Sequence, residues 1–399
     1  MEPTASAPAA PSRLTSLDAF RGFTMLLMAS EIARLPRALL QTYPGNGPAF
    51  FVADMLEHRE WVGVTPWDLI QPSFMFMVGV ALPFSVAARR ARGDAFGSLF
   101  RHALWRSLLL VALGIFLRSQ GRPLTYFTFE DVLTQIGLGY PILFLLAWTR
   151  PRWQAIAAAG IAIGYWAAFA LHPLPPPGFD WPSVGVPVDW PHHLSGFAAH
   201  WDKNSNLAWR FDVWFLNLFP REHAFAFNGG GYATLSFIPT LGTMILGLLA
   251  GGVLRSGRAP EARVRWLVAA GLIGLASGGL LGALGISPVV KRIWTPSFTL
   301  WSGGLCFLIL AGAFWLIDVR GRRRWAFPLV VIGMNSIAAY CLYELSARFI
   351  GASLTTHLGQ AAFRAAGAAY LPFLHGLAVV LVLWLILYWM YKRRIFLRI

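Results

Sequence analysis

Long apolar stretches recur from one end of this chain to the other, at 17–35, 67–87, 103–117, 132–148, 153–171, 235–254, 266–284, 298–317, 327–347 and 371–391. A hydrocarbon core of about 30 Å takes about 20 apolar residues per helix. Inside it every backbone N–H and C=O needs an internal partner, which a helix supplies. The expected fold is therefore an all-α, polytopic transmembrane helix bundle of about ten transmembrane helices. Composition agrees, with 56% hydrophobic and 13% charged residues, where a soluble protein carries roughly a quarter charged.

The net charge of +15 invites a nucleic-acid reading, and its distribution argues against one. With the N-terminus in the cytoplasm, the inner loops hold Arg89, Arg90 and Arg92, then Arg150 and Arg152, then Arg255 and Arg258, then Arg320 to Arg324, and finally Lys392 to Arg394. The opposite loops carry Asp54, Glu57, Glu60, Asp180, Asp189, Asp202, Asp212 and Glu222. This alternation is the positive-inside pattern, and it places both termini in the cytoplasm. Cys306 and Cys341 fall inside apolar stretches and pair with nothing obvious. Residues 1–12, rich in Ala and Pro, read as a disordered leader, and 13–399 as a single transmembrane domain. The one long extramembrane segment, 172–234 on the outer face, is rich in Trp and Phe. It is expected to lie along the interface and cap a cavity.

Ionisable groups inside apolar spans mark pathways or sites by default. Asp18 and Arg21 stand three residues apart on one helical face and can pair; a snorkelling ion pair and an anion-binding group are both open. Glu31 lies near the outer end of the same helix. The densest polar cluster is the run from Glu57 and His58 through Trp61, Thr65 and Pro66 to Asp68. Thr65, Pro66 and Asp68 have the spacing of a capping box with proline at the first helical position. That is the structural reading of Asp68; catalysis is the other. Pro72 is expected to kink the helix just inside. His58 by position is a surface histidine, although imidazole suits proton transfer near neutrality. No metal is expected at His192, His193 and His200, because no acidic partner has an informative spacing.

Four stretches, taken in order, resemble the heparan-α-glucosaminide N-acetyltransferase family and its bacterial relatives. They are Arg13–Gly22; the run from His58 through Trp61, Gly63 and Asp68 to Gly79; Trp105-Arg106-Ser107; and Gly333–Ile337 with Tyr340, Glu344 and the terminal run from Tyr391 to Phe396. Two positions depart from the family: Glu31-Ile32 stands where relatives tend to have Asn, and Thr134-Gln135 where they often have Gln-Arg. The resemblance implies a transmembrane acetyltransferase, in a bacterial inner membrane, that takes acetyl-CoA from the cytoplasm and acetylates the amine of an amino sugar or glycan outside. It implies no metal and no nucleic acid, and leaves a homo-oligomer open.

The family's active-site histidine falls on His58, which would serve as general base or as nucleophile. Asn335 and Ser336 would donate to the developing oxyanion or pack between helices. Arg21, Arg101 and Arg106 would hold the CoA phosphates, and Glu31, Trp61, Asp68 and Glu344 the acceptor. The rival reading is a transporter of amino sugars or their N-acetyl derivatives, using the same polar groups as a path.

Overall fold

The structure, a computed structural model, describes residues 14–397; the expected leader at 1–12 lies outside them. Among the described residues the regular elements are all helical, and an isolated bridge between Val62 and Val290 is the one strand-like pairing. The α-helices are α1 Thr15–Ser30, α2 Leu35–Thr42, α3 Gly47–Met55, α4 Ile70–Arg90, α5 Phe96–Arg118, α6 Val132–Leu146 and α7 Pro151–Ala170. They continue as α8 Leu207–Phe215, α9 Phe237–Leu254, α10 Pro260–Ala283, α11 Pro296–Ala313, α12 Phe327–Gly333, α13 Ser336–Leu358 and α14 Leu371–Lys392. Seven of the helical runs are long and apolar enough to cross a membrane, those containing α4, α5, α7, α9, α10, α11 and α14. The chain is thus an integral, multi-pass membrane protein.

The remaining apolar stretches depart from the simple pattern. α1 has 16 residues and α6 has 15, both short of a full span. The stretch expected as one helix at 327–347 is broken: Arg324–Gly333 and Ser336–Leu358 meet at 68°. Pro72 falls in the first turn of α4, where its missing N–H would have had no partner within that helix.

Close helix approach is secured by small residues, as is usual where lipid supplies no hydrophobic drive between helices. A Cβ at Gly79 of α4 would overlap the Met244 carbonyl of α9, and one at Gly247 would overlap the Phe76 carbonyl in return. The α1–α12 pair is built the same way by Gly22 and Gly333. At one end of the bundle the segment after α7 folds on a core of its own. Trp61, Phe169, Trp190 and Trp201 are buried together there, and Trp61 Nε1 donates to the Trp201 carbonyl at 3.1 Å. The opposite end carries the arginines between α4 and α5.

Candidate functional site

Between α3 and the short 3-10 helix Pro66–Leu69 that leads into α4 the chain has no regular structure, and it is held by three kinds of strap. Asp68 closes a capping box at the helix start, its Oδ2 accepting from Thr65 N at 3.0 Å, from Thr65 Oγ1 at 3.2 Å and from Arg59 N at 3.3 Å. Thr65 Oγ1 also lies 2.7 Å from the Glu57 carbonyl. The loop between α10 and α11 pairs with the run edge to edge: Val62 bridges Val290, and Gly63 N donates to Val289 O at 2.9 Å. Arg292 completes the strap through the Arg59 carbonyl at 3.3 Å and the Gly230 carbonyl at 2.7 Å.

These straps fix His58. Its Nδ1 lies 2.9 Å from Asp68 Oδ1, and its Nε2 lies 3.5 Å from Glu31 Oε1. Asp68 is fully buried and an ionised carboxylate only accepts, so a neutral imidazole that donates to it carries its hydrogen on Nδ1 and keeps a lone pair on Nε2. The capping reading of Asp68 holds at Oδ2, while Oδ1 is turned to the imidazole. Lys291, also buried, brings its Nζ to 3.1 Å from Asp68 Oδ1 and 3.0 Å from His58 Nδ1. Burial depresses the His58 pKa, but the hydrogen bonds to Asp68 and Glu31 outweigh it and raise the group above its ordinary value, with Lys291 opposing. His58 is exposed, as its position in the sequence suggests, and these contacts orient its ring.

His58 and Glu31 open onto a cavity of about 470 Å³. Glu31 also lines a larger one of about 1040 Å³ with Glu344, Arg118 and Tyr343. Toward the other end of the same helices lies a third cavity of about 660 Å³, where Asp18, Arg21, Arg89, Arg106 and Ser336 converge. Arg21 Nη1 is 3.7 Å from Asp18. Arg106 donates to the Tyr140 hydroxyl at 3.2 Å and packs on that ring, while its Nε is buried without a partner among the described residues. Met25 of α1 faces this cavity and Glu31 the others, a separation of about 9 Å along the helix. The side-chain amides of Gln71 and Gln135 meet at 2.9 Å, one turn beyond Asp68 along α4.

Three expected site residues sit elsewhere. Asn335 is tied to the segment after α14: Nδ2 donates to the Ile395 carbonyl and Oδ1 accepts from Leu397 N, both at 3.0 Å. The break between α12 and α13 turns it toward the chain's last described residues. Arg101 is exposed and does not line the basic cavity; five residues from Arg106 it is rotated by about 140° on the same helix. Arg89 and Arg92, read from sequence only as orientation signals, line the cavity instead. Trp61 is a core residue beneath the long loop and offers no surface to a ligand. The histidines of that loop are dispersed: His192 pairs with Glu60, His193 with Asp202, and His200 with the His172 carbonyl. Sequence reading missed Lys291 altogether, since a lone lysine in a short loop carries no spacing signal.

Comparison with known proteins comes to the same family as the motifs. The chain is 25% identical over 380 residues to heparan-alpha-glucosaminide N-acetyltransferase of Homo sapiens, a match covering 84% of this chain and 53% of that protein. The Mus musculus protein of the same name is 24% identical over 375 residues, covering 84% and 54%. The chain spans about half the length of these relatives. No protein-family profile matches it.

Proposed function

We propose that this distant relative of the heparan-α-glucosaminide N-acetyltransferases is itself a transmembrane N-acetyltransferase, moving the acetyl group of cytoplasmic acetyl-CoA to the amine of an amino sugar on the outer face. One observation carries the reading. His58, paired with Asp68, opens with Glu31 onto a cavity at the long-loop end of the bundle, while a basic cavity reaches Met25, about 9 Å along the helix from Glu31. A donor held by its phosphates in the basic cavity reaches the histidine only by an extended arm, which is the shape of CoA. The unpartnered Arg106 Nε and its neighbours Arg21, Arg89 and Arg92 suit those phosphates.

The chemistry follows from the groups present. The neutral amine of the acceptor attacks the thioester carbonyl and a C–N bond forms. His58 Nε2 takes the proton the nitrogen loses, the tetrahedral intermediate collapses, the C–S bond breaks, and CoA leaves as a thiol after receiving a proton from the imidazolium. Asp68 holds the tautomer that leaves Nε2 basic. Glu31, 3.5 Å from Nε2, stands where it can accept a hydrogen bond from the incoming amine. The alternating loop charges support a cytoplasmic place for the basic cavity. A reporter active only outside the cytoplasm should work when fused after Pro187 and fail after Gly257.

The test is direct. Purified protein in detergent is given acetyl-CoA and glucosamine, and N-acetylglucosamine and free CoA are measured by mass spectrometry in equal amounts over time. Protein that binds the amino sugar but never consumes acetyl-CoA would overturn the proposal in favour of transport.

A further inference from the structure

We infer that Lys291 is a positioning residue for His58: its ammonium holds the Asp68 carboxylate in place and weighs against protonation of the imidazole. The inference rests on the acetyltransferase reading only for its catalytic meaning; the electrostatic part stands on geometry. Lys291 is buried, with Nζ 3.1 Å from Asp68 Oδ1 and 3.0 Å from His58 Nδ1. Since Nδ1–H already points to Asp68, Lys291 and His58 are two donors sharing one oxygen. Protonating Nε2 adds a second positive charge at close range to the first.

The loop that delivers Lys291 is more constrained than a connection between two helices requires. Beyond the straps at Val289, Val290 and Arg292, Tyr165 Oη donates to the Ile293 carbonyl at 2.9 Å, and Ser236 Oγ to the Arg292 carbonyl at 3.2 Å. Trp294, a bulky buried residue, is held at φ 52°, with its N–H on the Lys291 carbonyl at 2.9 Å. Left-handed backbone at such a residue is costly and persists only where the surroundings over-determine it, which is common beside functional groups. The strained turn fixes the backbone of Lys291 and so the place of its ammonium.

Other charges face His58 too. Glu31 comes from the end of α1, Arg34 and Arg37 from the segment after it, Glu57 and Arg59 from its own loop, and Asp68 from the start of α4. Of these, Glu31 and Asp68 favour the imidazolium, and Lys291 opposes it. With Lys291 neutralised the balance shifts toward protonation, and an imidazole that is protonated at neutral pH takes no proton from an amine.

The experiment reads the imidazole without relying on activity. Full-length protein in detergent is treated with diethyl pyrocarbonate, which modifies neutral imidazole, and carbethoxylation of the His58 peptide is followed by mass spectrometry from pH 5 to 9 in wild type, Lys291→Gln and Lys291→Arg. The midpoint should rise by about one pH unit in Lys291→Gln and stay near wild type in Lys291→Arg, because a like charge close by shifts a titration by this order. In parallel, the acid limb of kcat for acetyl transfer should move with the Lys291→Gln midpoint. An unmoved midpoint in folded Lys291→Gln overturns the inference. If that variant fails to fold, Lys291→Arg decides, and a midpoint displaced upward in it is equally fatal. Should wild-type protein acetylate nothing, the modification midpoints still answer the electrostatic question, so the two readings fail separately.

Discussion

Replacing Asp68 by Asn tests whether the buried carboxylate does two jobs at once. The side chain is fully buried and is approached by His58 Nδ1 and Lys291 Nζ at one oxygen and by Thr65 and Arg59 at the other. An amide has one accepting oxygen, so whichever way it turns, a donor pair meets NH₂. If the amide nitrogen faces His58, the imidazole is driven to the other tautomer, with hydrogen on Nε2 and no base toward the acceptor. General-base catalysis is worth about 10²–10⁴-fold, and about 10⁴ is lost when the carboxylate of a Ser-His-Asp triad becomes an amide. Transfer should therefore fall by about 10³ or more. Stability should fall too, because removing one partner of a buried ion pair costs about 3–5 kcal/mol and Lys291 has no other carboxylate within reach among the described residues. The assay is the initial rate of acetyl-CoA-dependent glucosamine acetylation, with thermal unfolding in the same detergent. Asp68→Asn combined with His58→Ala should be no slower than His58→Ala alone, since groups acting as a unit are lost once. A folded Asp68→Asn protein within about threefold of the wild-type rate would refute the pairing.

Because its hydrogen bonds raise the His58 pKa and neutral imidazole is the working form, the transfer rate should climb with pH through a midpoint above the ordinary histidine value; a pH–rate profile with its acid midpoint below about 6 speaks against His58 as base. Arg106→Ala should weaken CoA binding and reduce its sensitivity to added salt, while Arg101→Ala leaves both unchanged, as read by equilibrium binding at several ionic strengths. Gly247→Ala should lower the thermal unfolding temperature, because the added Cβ meets the Phe76 carbonyl and overpacking costs about 1–3 kcal/mol. Gly252→Ala, whose Cβ meets nothing, should not.

Membrane character and most helix positions were legible because the bilayer imposes a length and a polarity that leave a direct mark on sequence. α9 is the plain case, its apolar run and its helix coinciding nearly to the residue. The break at Met334 and Asn335 was not legible. Both flanks are apolar, and it is the pull of the chain's far end on the Asn335 amide, more than 50 residues away, that accompanies the bend. Trp61 misled for a related reason, since aromatic residues near a site read alike whether they face a ligand or pack a lid.

Asp68 shows where local and distant information divide. Its capping role is written in three adjacent residue types, Thr65, Pro66 and Asp68, because a helix start is a local event. Its contact with Lys291, 223 positions away, is one that no spacing rule reaches. The two roles are coupled physically: the capping bonds to Oδ2 immobilise the carboxylate, and only an immobile carboxylate can hold one imidazole tautomer against thermal rotation. A site of this kind starts as an ordinary helix cap with one oxygen to spare, and in the proposed mechanism what turns it toward chemistry is one nearby contact, from His58, and one distant contact, from Lys291, at that oxygen.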